Sequence, residues 1–326
     1  MNRSTSSQRS QVKFRLNPAL TLIAAVLGLV LLAPATVRAQ GDGPGAQILF
    51  PAGTNIFVPT WLDMQMNSDF SQSILSLDAD VHAGIALAIY QRGFALGGRF
   101  AEVWVVPNWG VLDADVQVSR DAGGSITRSV SESGFGDPYF AFKIGLVGAP
   151  GLELADFMKH KPEFQLYAYG GVFVPIGDYD ADRLLNLGTN RWAFRLGLPM
   201  VWPLGNPKSQ TNLEVHPSVS IYLDNDDATG SASVKEQANL FQVESHLSTH
   251  WSAKWWSSVG FRYRKGGETT TDGVRDDNQQ DVLGGEVTMG YAFTPHLGLQ
   301  TTYGDVITEN DGTESRMIRL RMNYVF

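Results

Sequence analysis

Apolar and polar residues alternate along most of this chain. Eight apolar side chains occupy every second position from Leu75 to Ile89, with polar or small residues at Ser76, Asp78, Asp80, His82 and Gly84 between them. The same alternation recurs over residues 213–223 and 283–293. A spacing of two predicts β-strands. Runs of 12 residues or more exceed the five or six that are usual in soluble sheets, and this length favours strands that cross a membrane at a tilt.

Twelve strands are predicted, near residues 54–66, 73–90, 94–106, 135–148, 163–176, 189–204, 211–224, 236–249, 252–265, 280–294, 296–306 and 314–326. Tight turns at 91–93, 205–208, 250–251 and 294–295 alternate with longer polar segments at 107–134, 177–188, 225–235, 266–279 and 307–313. The one exception, 149–162, is predicted to contain a small helix. Short turns that alternate with long loops are typical of outer-membrane barrels. The predicted fold class is all-β: a transmembrane antiparallel up-and-down β-barrel of about 12 strands.

Residues 1–39 have the pattern of an export signal. A basic stretch ends at Arg15, an apolar run follows to Ala33, and Ala39 precedes a predicted cleavage site. The apolar run of about 15 residues is shorter than the roughly 20 that a membrane-spanning helix needs. The predicted organisation is therefore a signal peptide at 1–39 and a single outer-membrane barrel at 40–326, in a Gram-negative cell.

The last strand carries a recognisable end. Ile318, Leu320, Met322, Tyr324 and Phe326 alternate with more polar residues, and the sequence stops at the aromatic residue. This pattern resembles the signal that the outer-membrane assembly machinery reads. It predicts that machinery as a partner through Tyr324 and Phe326, with the lipid bilayer and lipopolysaccharide as surroundings.

Charge and composition exclude several classes of function. The sequence contains no cysteine, so a thiolate zinc site, a disulfide framework and a cysteine nucleophile are excluded. The first 39 residues carry five basic groups and no acidic one, which leaves a net charge of −13 on the remaining 287. Such a surface argues against a nucleic-acid partner. No cofactor is predicted.

The polar side of the strands is expected to face the lumen, and the residues on it carry both signs of charge. Arg319 and Arg321 are expected to face Asp63 across the closing seam, and Arg262 to reach Glu244 or Glu286. Mixed charge leaves two interpretations open: a lumen filled by ion pairs, or a pore whose walls differ in sign. The candidate substrate path consists of Tyr167, Tyr169, Trp256, Arg262, Arg319, Arg321, Asp78, Asp80, Glu214 and Glu244.

All eight tryptophans lie near predicted strand ends, where a membrane interface favours them. Trp61 and Trp256 have inward parity and are alternatively ligand-stacking residues. His82, His216 and His246 also share the inward parity with carboxylates two residues away. No HExxH or comparable ligand spacing occurs, so no metal site is predicted. Ser245 and Ser248 flank His246 without a Gly-x-Ser-x-Gly motif, which leaves a lipid hydrolase as a minor enzyme alternative.

Three groups of motifs resemble a known family. They are Gly134-Phe135-Gly136-Asp137-Pro138; Pro175-Ile176-Gly177-Asp178-Tyr179-Asp180 with Asn186-Leu187-Gly188-Thr189-Asn190-Arg191-Trp192; and Lys254-Trp255-Trp256 with Gly266-Gly267-Glu268-Thr269 and Asp272-Gly273. Over residues 134–326 the chain resembles the outer-membrane family of the MetA pathway of phenol degradation. The resemblance implies a barrel that takes up aromatic or other hydrophobic compounds.

The predicted function is accordingly that of a non-enzymatic outer-membrane transporter, a channel for passive uptake of small organic compounds, aromatic or otherwise hydrophobic. Tyr167, Tyr169 and Trp256 are the expected stacking surfaces, and the lumen arginines are expected to anchor carboxylate or phenolate groups. The alternative class is a non-conducting structural barrel whose lumen is closed by ion pairs. The loop at 177–188 is expected to fold into the lumen.

Overall fold

The structure is a computed structural model that describes residues 42–67, 78–119, 125–183, 185–204, 210–230, 232–308 and 314–326. Within these ranges the side chains of 66–67, 78–80, 116–119, 125–128 and 314 lie outside the description. The predicted signal peptide also lies outside it. No helix in the described part of the chain is long and apolar enough to cross a membrane.

Strands make up nearly all of the regular structure. In chain order they are β1 Asn55–Asn67, β2 Asp78–Leu96, β3 Arg99–Val106, β4 Asn108–Ser119, β5 Ser125–Phe135, β6 Tyr139–Val147, β7 Gln165–Phe173, β8 Ala193–Gly197, β9 Met200–Leu204, β10 Thr211–Tyr222, β11 Lys235–Gln237, β12 Leu240–His250, β13 Trp255–Gly266, β14 Thr269–Thr271, β15 Val274–Arg275, β16 Gln280–Ala292, β17 Leu297–Thr308 and β18 Glu314–Val325. One helical turn, α1 Leu154–Phe157, lies where the exceptional segment predicted a helix.

Fifteen of these strands form one closed wall. Every neighbouring pair is antiparallel, and β1 pairs with both β2 and β18, which closes the sheet into a barrel. Three wall strands consist of two segments each: β3 with β4, β5 with β6, and β8 with β9. Each break contains a proline, Pro107, Pro138 or Pro199, because proline donates no hydrogen bond to a ladder. The wall therefore has twelve strands, and the predicted fold class is confirmed.

The outer face of the wall is apolar, as the alternation predicts. On β18, Ile318, Leu320 and Met322 are 42–44% exposed, whereas Arg319 and Arg321 between them are only 1% and 7% exposed. Exposed apolar side chains on a closed barrel are the surface that a bilayer covers. The inward placement of the two arginines is confirmed.

Two boundaries differ from the predictions. The turn predicted at 91–93 is wrong: β2 continues to Leu96, and the chain reverses at Gly97 and Gly98. Both glycines have positive φ (58° and 77°), which a tight hairpin of this kind requires. The segment 107–134 is not a loop for most of its length, because β4 and β5 pair along it and extend the wall.

The inward face is also different on β1 and β2. Met64, Val81 and Ala83 are buried inside the barrel, whereas Asp63 and His82 are exposed and bonded to each other at 3.0 Å. The polar side of these two strands therefore faces outward at Asp63 and His82. The physical reason is that the interior here is filled by apolar side chains, including Leu185 of the loop after β7.

Loops at one end of the barrel form a cover. Strands β11, β14 and β15 belong to the loops before β12 and before β16 and make a separate three-stranded sheet. The segment 174–192 contacts them, since Arg191 Nη2 donates to Gln237 Oε1. We call this the long-loop end. We call the opposite end the short-turn end. It carries α1, and there the start of β1 meets the end of β18, where the backbones of Asn55 and Phe326 exchange hydrogen bonds.

Candidate functional site

The lumen has one charged side, formed mainly by β10, β12, β13, β16 and β18. Arg319 Nη2 lies 3.0 Å from Glu286 Oε1, and His246 Nε2 lies 2.7 Å from Glu244 Oε1. All four side chains are almost completely buried. Because an unpaired buried charge is costly, these groups hold one another in place. The predicted pairing of Arg319 with Asp63 is therefore wrong, because Arg319 pairs with Glu286.

A second buried pair lies on β3 and β6. Lys143 Nζ is 2.8 Å from Glu102 Oε2, and neither side chain has measurable exposure. The same ammonium lies 4.9 Å from the centre of the Tyr167 ring. Tyr167 donates its hydroxyl to Gln165 at 2.8 Å and is fully buried. This part of the lumen is therefore packed, with Tyr167 inside the packing.

The chain before β1 enters the lumen from the short-turn end. We call residues 42–54 the N-terminal segment. The amide groups of Asp42 and Gly43 donate to the two carboxylate oxygens of Glu244 at 3.1 and 2.9 Å. Those of Gly45 and Gln47 donate to Glu214 at 2.7 and 2.9 Å. The carboxylates of the charged side thus bind backbone of the N-terminal segment.

Asp42 fixes the inner end of this segment. Its carboxylate accepts hydrogen bonds from Arg195 Nη1 at 2.8 Å and from His216 Nδ1 at 3.0 Å. Its carbonyl oxygen accepts one from Arg321 Nη1 at 2.7 Å. Charge-assisted hydrogen bonds are the strong ones. The N-terminal segment therefore occupies the charged half of the lumen through a network that spans β8, β10 and β18.

The family motifs meet at Asp137, in the break between β5 and β6. Its Oδ1 accepts the amide of Gly177 at 2.9 Å, and its Oδ2 accepts the amide and the hydroxyl of Thr189 at 2.8 and 2.7 Å. A Cβ built on Gly177 would lie 2.6 Å from the backbone carbon of Gly136, so the crossing requires glycine. The crossing ties the segment 174–192 to the wall, and it brings Leu187 of that segment into the lumen.

The described residues enclose at least two cavities inside the barrel, and residues of β1 and β2 line both. The lower cavity, nearer the short-turn end, has a volume of about 530 Å³, and the upper cavity has about 460 Å³. Both have the size of ordinary small-molecule sites. Leu87, Asn108, Phe173 and Arg321 line both cavities and form the constriction between them.

A groove lies on the outer face of the wall at the same height. It has a volume of about 660 Å³ and an almost wholly apolar surface. Pro59 and Pro107 line it, and the β1–β18 ladder is interrupted at Val58 and Pro59. Other lining residues include Trp61, Ala86, Ala88, Trp109, Leu320 and Met322. Trp61 therefore faces the groove, and its predicted inward placement is wrong.

Three residues line all three spaces. Leu87, Asn108 and Arg321 line the upper cavity, the lower cavity and the outer groove. The ladder interruption removes backbone hydrogen bonds at this point of the wall, since Pro59 has no N–H to donate. The backbone of the wall still runs between the lumen and the outer groove here, because β1 and β2 stay paired, but the β1–β18 ladder is locally weakened.

The predicted path residues fall into three groups. Trp256 lines the lower cavity, Arg319 the upper one and Arg321 both. Five others are buried in the network around the N-terminal segment and line neither cavity: Tyr167, Tyr169, Glu214, Glu244 and Arg262. Arg262 stands opposite Glu244 in the β12–β13 ladder. The side chains of Asp78 and Asp80 lie outside the described residues, so their role stays a prediction.

Sequence reasoning missed several cavity residues. Trp104, predicted at the interface, is 5% exposed and lines the lower cavity. Asn108 and Phe173 line both cavities, and Arg191 lines the upper one. Two of the missed residues could have been found from the sequence. Arg191 stands in a family motif, and Asp42 stands in the Gly-rich stretch that precedes the first strand.

Comparison with known proteins settles the family. The family model described as "Putative MetA-pathway of phenol degradation" matches residues 63–322, about four fifths of the chain. This protein belongs to that family. The predicted resemblance is thus confirmed, and it extends further toward the amino terminus than residue 134. No curated protein matches the sequence significantly.

Solved structures show the same architecture. The COG4313 outer membrane channel from Pseudomonas putida F1 superposes with a TM-score of 0.70 at 22% identity, covering 87% of this chain and 99% of that one. The Ralstonia pickettii toluene transporter TbuX gives a TM-score of 0.39 at 9% identity, covering 87% and 92%. The CymD monoaromatic hydrocarbon channel gives 0.43 at 7%, covering 85% and 88%. The first likeness shows the fold, and the other two establish nothing about this chain.

The predicted outer-membrane localisation is confirmed by the family, by the closed barrel and by its apolar outer face. A bilayer is therefore the surroundings of the wall. The structure that superposes at a TM-score of 0.70 is described as that of an outer membrane channel.

Proposed function

We propose that this protein is a passive channel through which small hydrophobic organic compounds, aromatic ones among them, cross the outer membrane. The observation that carries this proposal is the arrangement of the two cavities and the outer groove around Leu87, Asn108 and Arg321. The upper cavity and the apolar outer groove share these three residues in their linings, so a hydrophobic solute in the cavity lies close to the groove at a weakened part of the wall. No energy source or catalytic group is needed for such passage.

The lumen itself favours hydrophobic over hydrophilic solutes. The N-terminal segment occupies much of its charged half, and apolar residues of β1, β2 and β3 line the open space of the lower cavity. Ile56, Val58, Ile89 and Val106 line the lower cavity. Burial of apolar surface is the dominant favourable contribution to binding in such a site. Two charged side chains that line the lower cavity, Asp42 and Arg195, are already bonded to each other at 2.8 Å.

The test is to fill the outer groove. Ala88 faces the groove from β2, and Ala88→Trp would occupy much of it. Ala168 on β7 has the outward parity of its strand at a distant part of the wall, so Ala168→Trp is a matched control. Uptake of labelled toluene would be measured in Gram-negative cells that lack other hydrocarbon channels. We expect wild type and Ala168→Trp to take up toluene well above the empty host, and Ala88→Trp to lose most of that increase.

Equal uptake by Ala88→Trp and Ala168→Trp would refute passage through the groove. Uptake no faster than in the empty host, for wild type as well, would favour the second candidate, a non-conducting structural barrel. The specific observation in its favour is the occupied charged half, where Glu214 and Glu244 bind the N-terminal segment.

A lipid hydrolase has no such observation in its favour. Ser245 donates its hydroxyl to the carbonyl of Phe261, and His246 is bonded to Glu244 instead.

Two partners complete the proposal. We infer that lipopolysaccharide surrounds the long-loop end of the barrel, and that the assembly machinery binds the last strand through Tyr324 and Phe326, which are 46% and 56% exposed.

A further inference from the structure

The upper cavity combines an apolar wall with positive charge. Four charged side chains line it: Arg191, Arg319, Arg321 and Asp137. The rest of its lining is largely apolar, with Leu62, Met64, Ile85, Leu87, Phe173 and Leu187. The question that decides its chemistry is which of these charges are already matched inside the protein.

Asp137 and Arg319 are matched. Both oxygens of Asp137 are taken by hydrogen bonds from the segment 174–192. Arg319 is bonded to Glu286 at 3.0 Å. Neither group needs a ligand to be stable in the barrel.

Arg191 is not matched in this way. Its side chain is half-buried, it lies 5.1 Å from the centre of the Tyr222 ring, and its Nη2 donates to Gln237. Its Nη1 is buried without a hydrogen-bond partner, and no described carboxylate forms an ion pair with it. Burial lowers the pKa of Arg191, because the loss of hydration outweighs the attraction of the more distant Tyr222, Asp224 and Asp137. No described carboxylate is therefore in contact with this guanidinium.

Arg321 is the second such group. It is 7% exposed, its Nη1 donates to the neutral carbonyl of Asp42, and its Nε is buried without a partner in the described part of the chain. The cavity is therefore lined by two guanidinium groups with N–H donors to spare and by no described carboxylate that is free to receive them.

We propose that the upper cavity is a binding site for small apolar compounds that carry one carboxylate, with Arg191 and Arg321 as its anion-binding residues. Guanidinium groups bind carboxylates with two parallel hydrogen bonds, which a point charge cannot do. The apolar body of the ligand lies against Leu62, Met64 and Leu87. This inference rests on the proposed function, since the compound reaches the cavity through the channel, and it adds an acidic subclass to the hydrophobic solutes.

Binding of benzoate and of benzyl alcohol, its uncharged counterpart, tests the proposal. Calorimetric titration of the protein in lipid nanodiscs at pH 7.5 avoids detergent that would compete for the cavity. We expect benzoate to bind at least tenfold more tightly than benzyl alcohol. Arg191→Gln should weaken benzoate binding by about tenfold or more and leave benzyl alcohol nearly unchanged, since hydrogen bonds to charged groups contribute more than neutral ones.

Two further variants serve as controls. Arg183 belongs to the same segment but is exposed and paired with Glu132, so Arg183→Gln should leave benzoate binding unchanged. Arg191→Lys keeps the charge and loses the planar fork, and it should give an intermediate loss of benzoate affinity. Arg191→Lys also supplies the measurement if Arg191→Gln does not fold, which gel migration with and without heating reports.

The outcomes separate this inference from the proposed function. Equal affinity for benzoate and benzyl alcohol in wild type, or an equal loss of both in Arg191→Gln, would overturn the anion site. If cells still take up toluene in that case, the channel stands without it. Failure of toluene uptake by wild type would instead overturn the channel, whatever the binding data show.

Discussion

Removal of the Asp42 carboxylate should release the N-terminal segment. The carboxylate accepts hydrogen bonds from Arg195, His216 and Gln47 at 2.8, 3.0 and 3.2 Å, and among the described residues it is the only carboxylate within 4 Å of the guanidinium of Arg195 or the imidazole of His216. Asp42→Ala would leave Arg195 without its anion in a nearly closed lumen. Hydrogen bonds to charged groups contribute about 1.5–3 kcal/mol each.

The size of the effect follows from these contacts. Losing two charge-assisted hydrogen bonds costs about 3 kcal/mol at the lower estimate. Since 1.4 kcal/mol corresponds to a factor of ten, the fraction of molecules with the segment released should rise by roughly 100-fold. The bonds of Glu244 and Glu214 to the segment backbone would remain, so release is expected to be partial and reversible.

Thiol labelling measures this release directly, because the chain contains no cysteine. Ala46→Cys places one thiol in the segment, beside the lower cavity. A charged maleimide should label this thiol slowly in the parent and up to 100-fold faster in Asp42→Ala. Asp156→Asn removes an exposed carboxylate of α1 that pairs with Lys159, and it should not change the rate. An equal rate in Asp42→Ala and Asp156→Asn would refute the anchoring role of Asp42.

Three further predictions concern the wall. Gly177→Ala should lower the urea midpoint of unfolding, because overpacking costs about 1–3 kcal/mol of stability. Gly170→Ala should not lower it, because its Cβ would meet nothing closer than 3.7 Å. Arg319→Gln should cost about 3–5 kcal/mol because it removes the guanidinium partner of the buried Glu286; an unchanged midpoint would contradict this ion pair. Deletion of Phe326 should reduce the amount of heat-modifiable barrel in the outer membrane, and an unchanged yield would remove the terminal signal.

The wall could be predicted from the sequence because each strand carries its own evidence. The alternation along β2, β10, β16 and β18 shows that two faces of each strand differ in polarity, and this holds for a lipid-facing band as well as for a core. Turn chemistry was less informative. Gln91-Arg92-Gly93 resembles a turn in composition, but the adjacent pair Gly97-Gly98 supplies the two positive φ angles that the hairpin needs.

The contents of the lumen could not be predicted in the same way. Alternation says that two faces of a strand differ, and it does not say which one is inside. On β18 the polar face is inside because it meets the backbone of the N-terminal segment and the carboxylate of Glu286. On β2 the apolar face is inside because Leu185 and Leu187 pack against it. These fillers come from distant parts of the chain, so nothing local in the strands identifies them.

Ion pairing and open space occur together in one lumen. The sequence offered them as alternatives, since a mixed-charge lumen is either closed by its own pairs or open as a path. In the structure the carboxylates Glu214 and Glu244 hold the N-terminal segment on the charged side, and the cavities remain beside it, with apolar residues of β1 and β2 in their linings. Arg321 stands at the boundary, bonded to the segment and lining every cavity. The N-terminal segment fills part of the twelve-stranded barrel and narrows it to a path whose remaining wall suits apolar molecules. Arg321, which binds this segment, also faces the path.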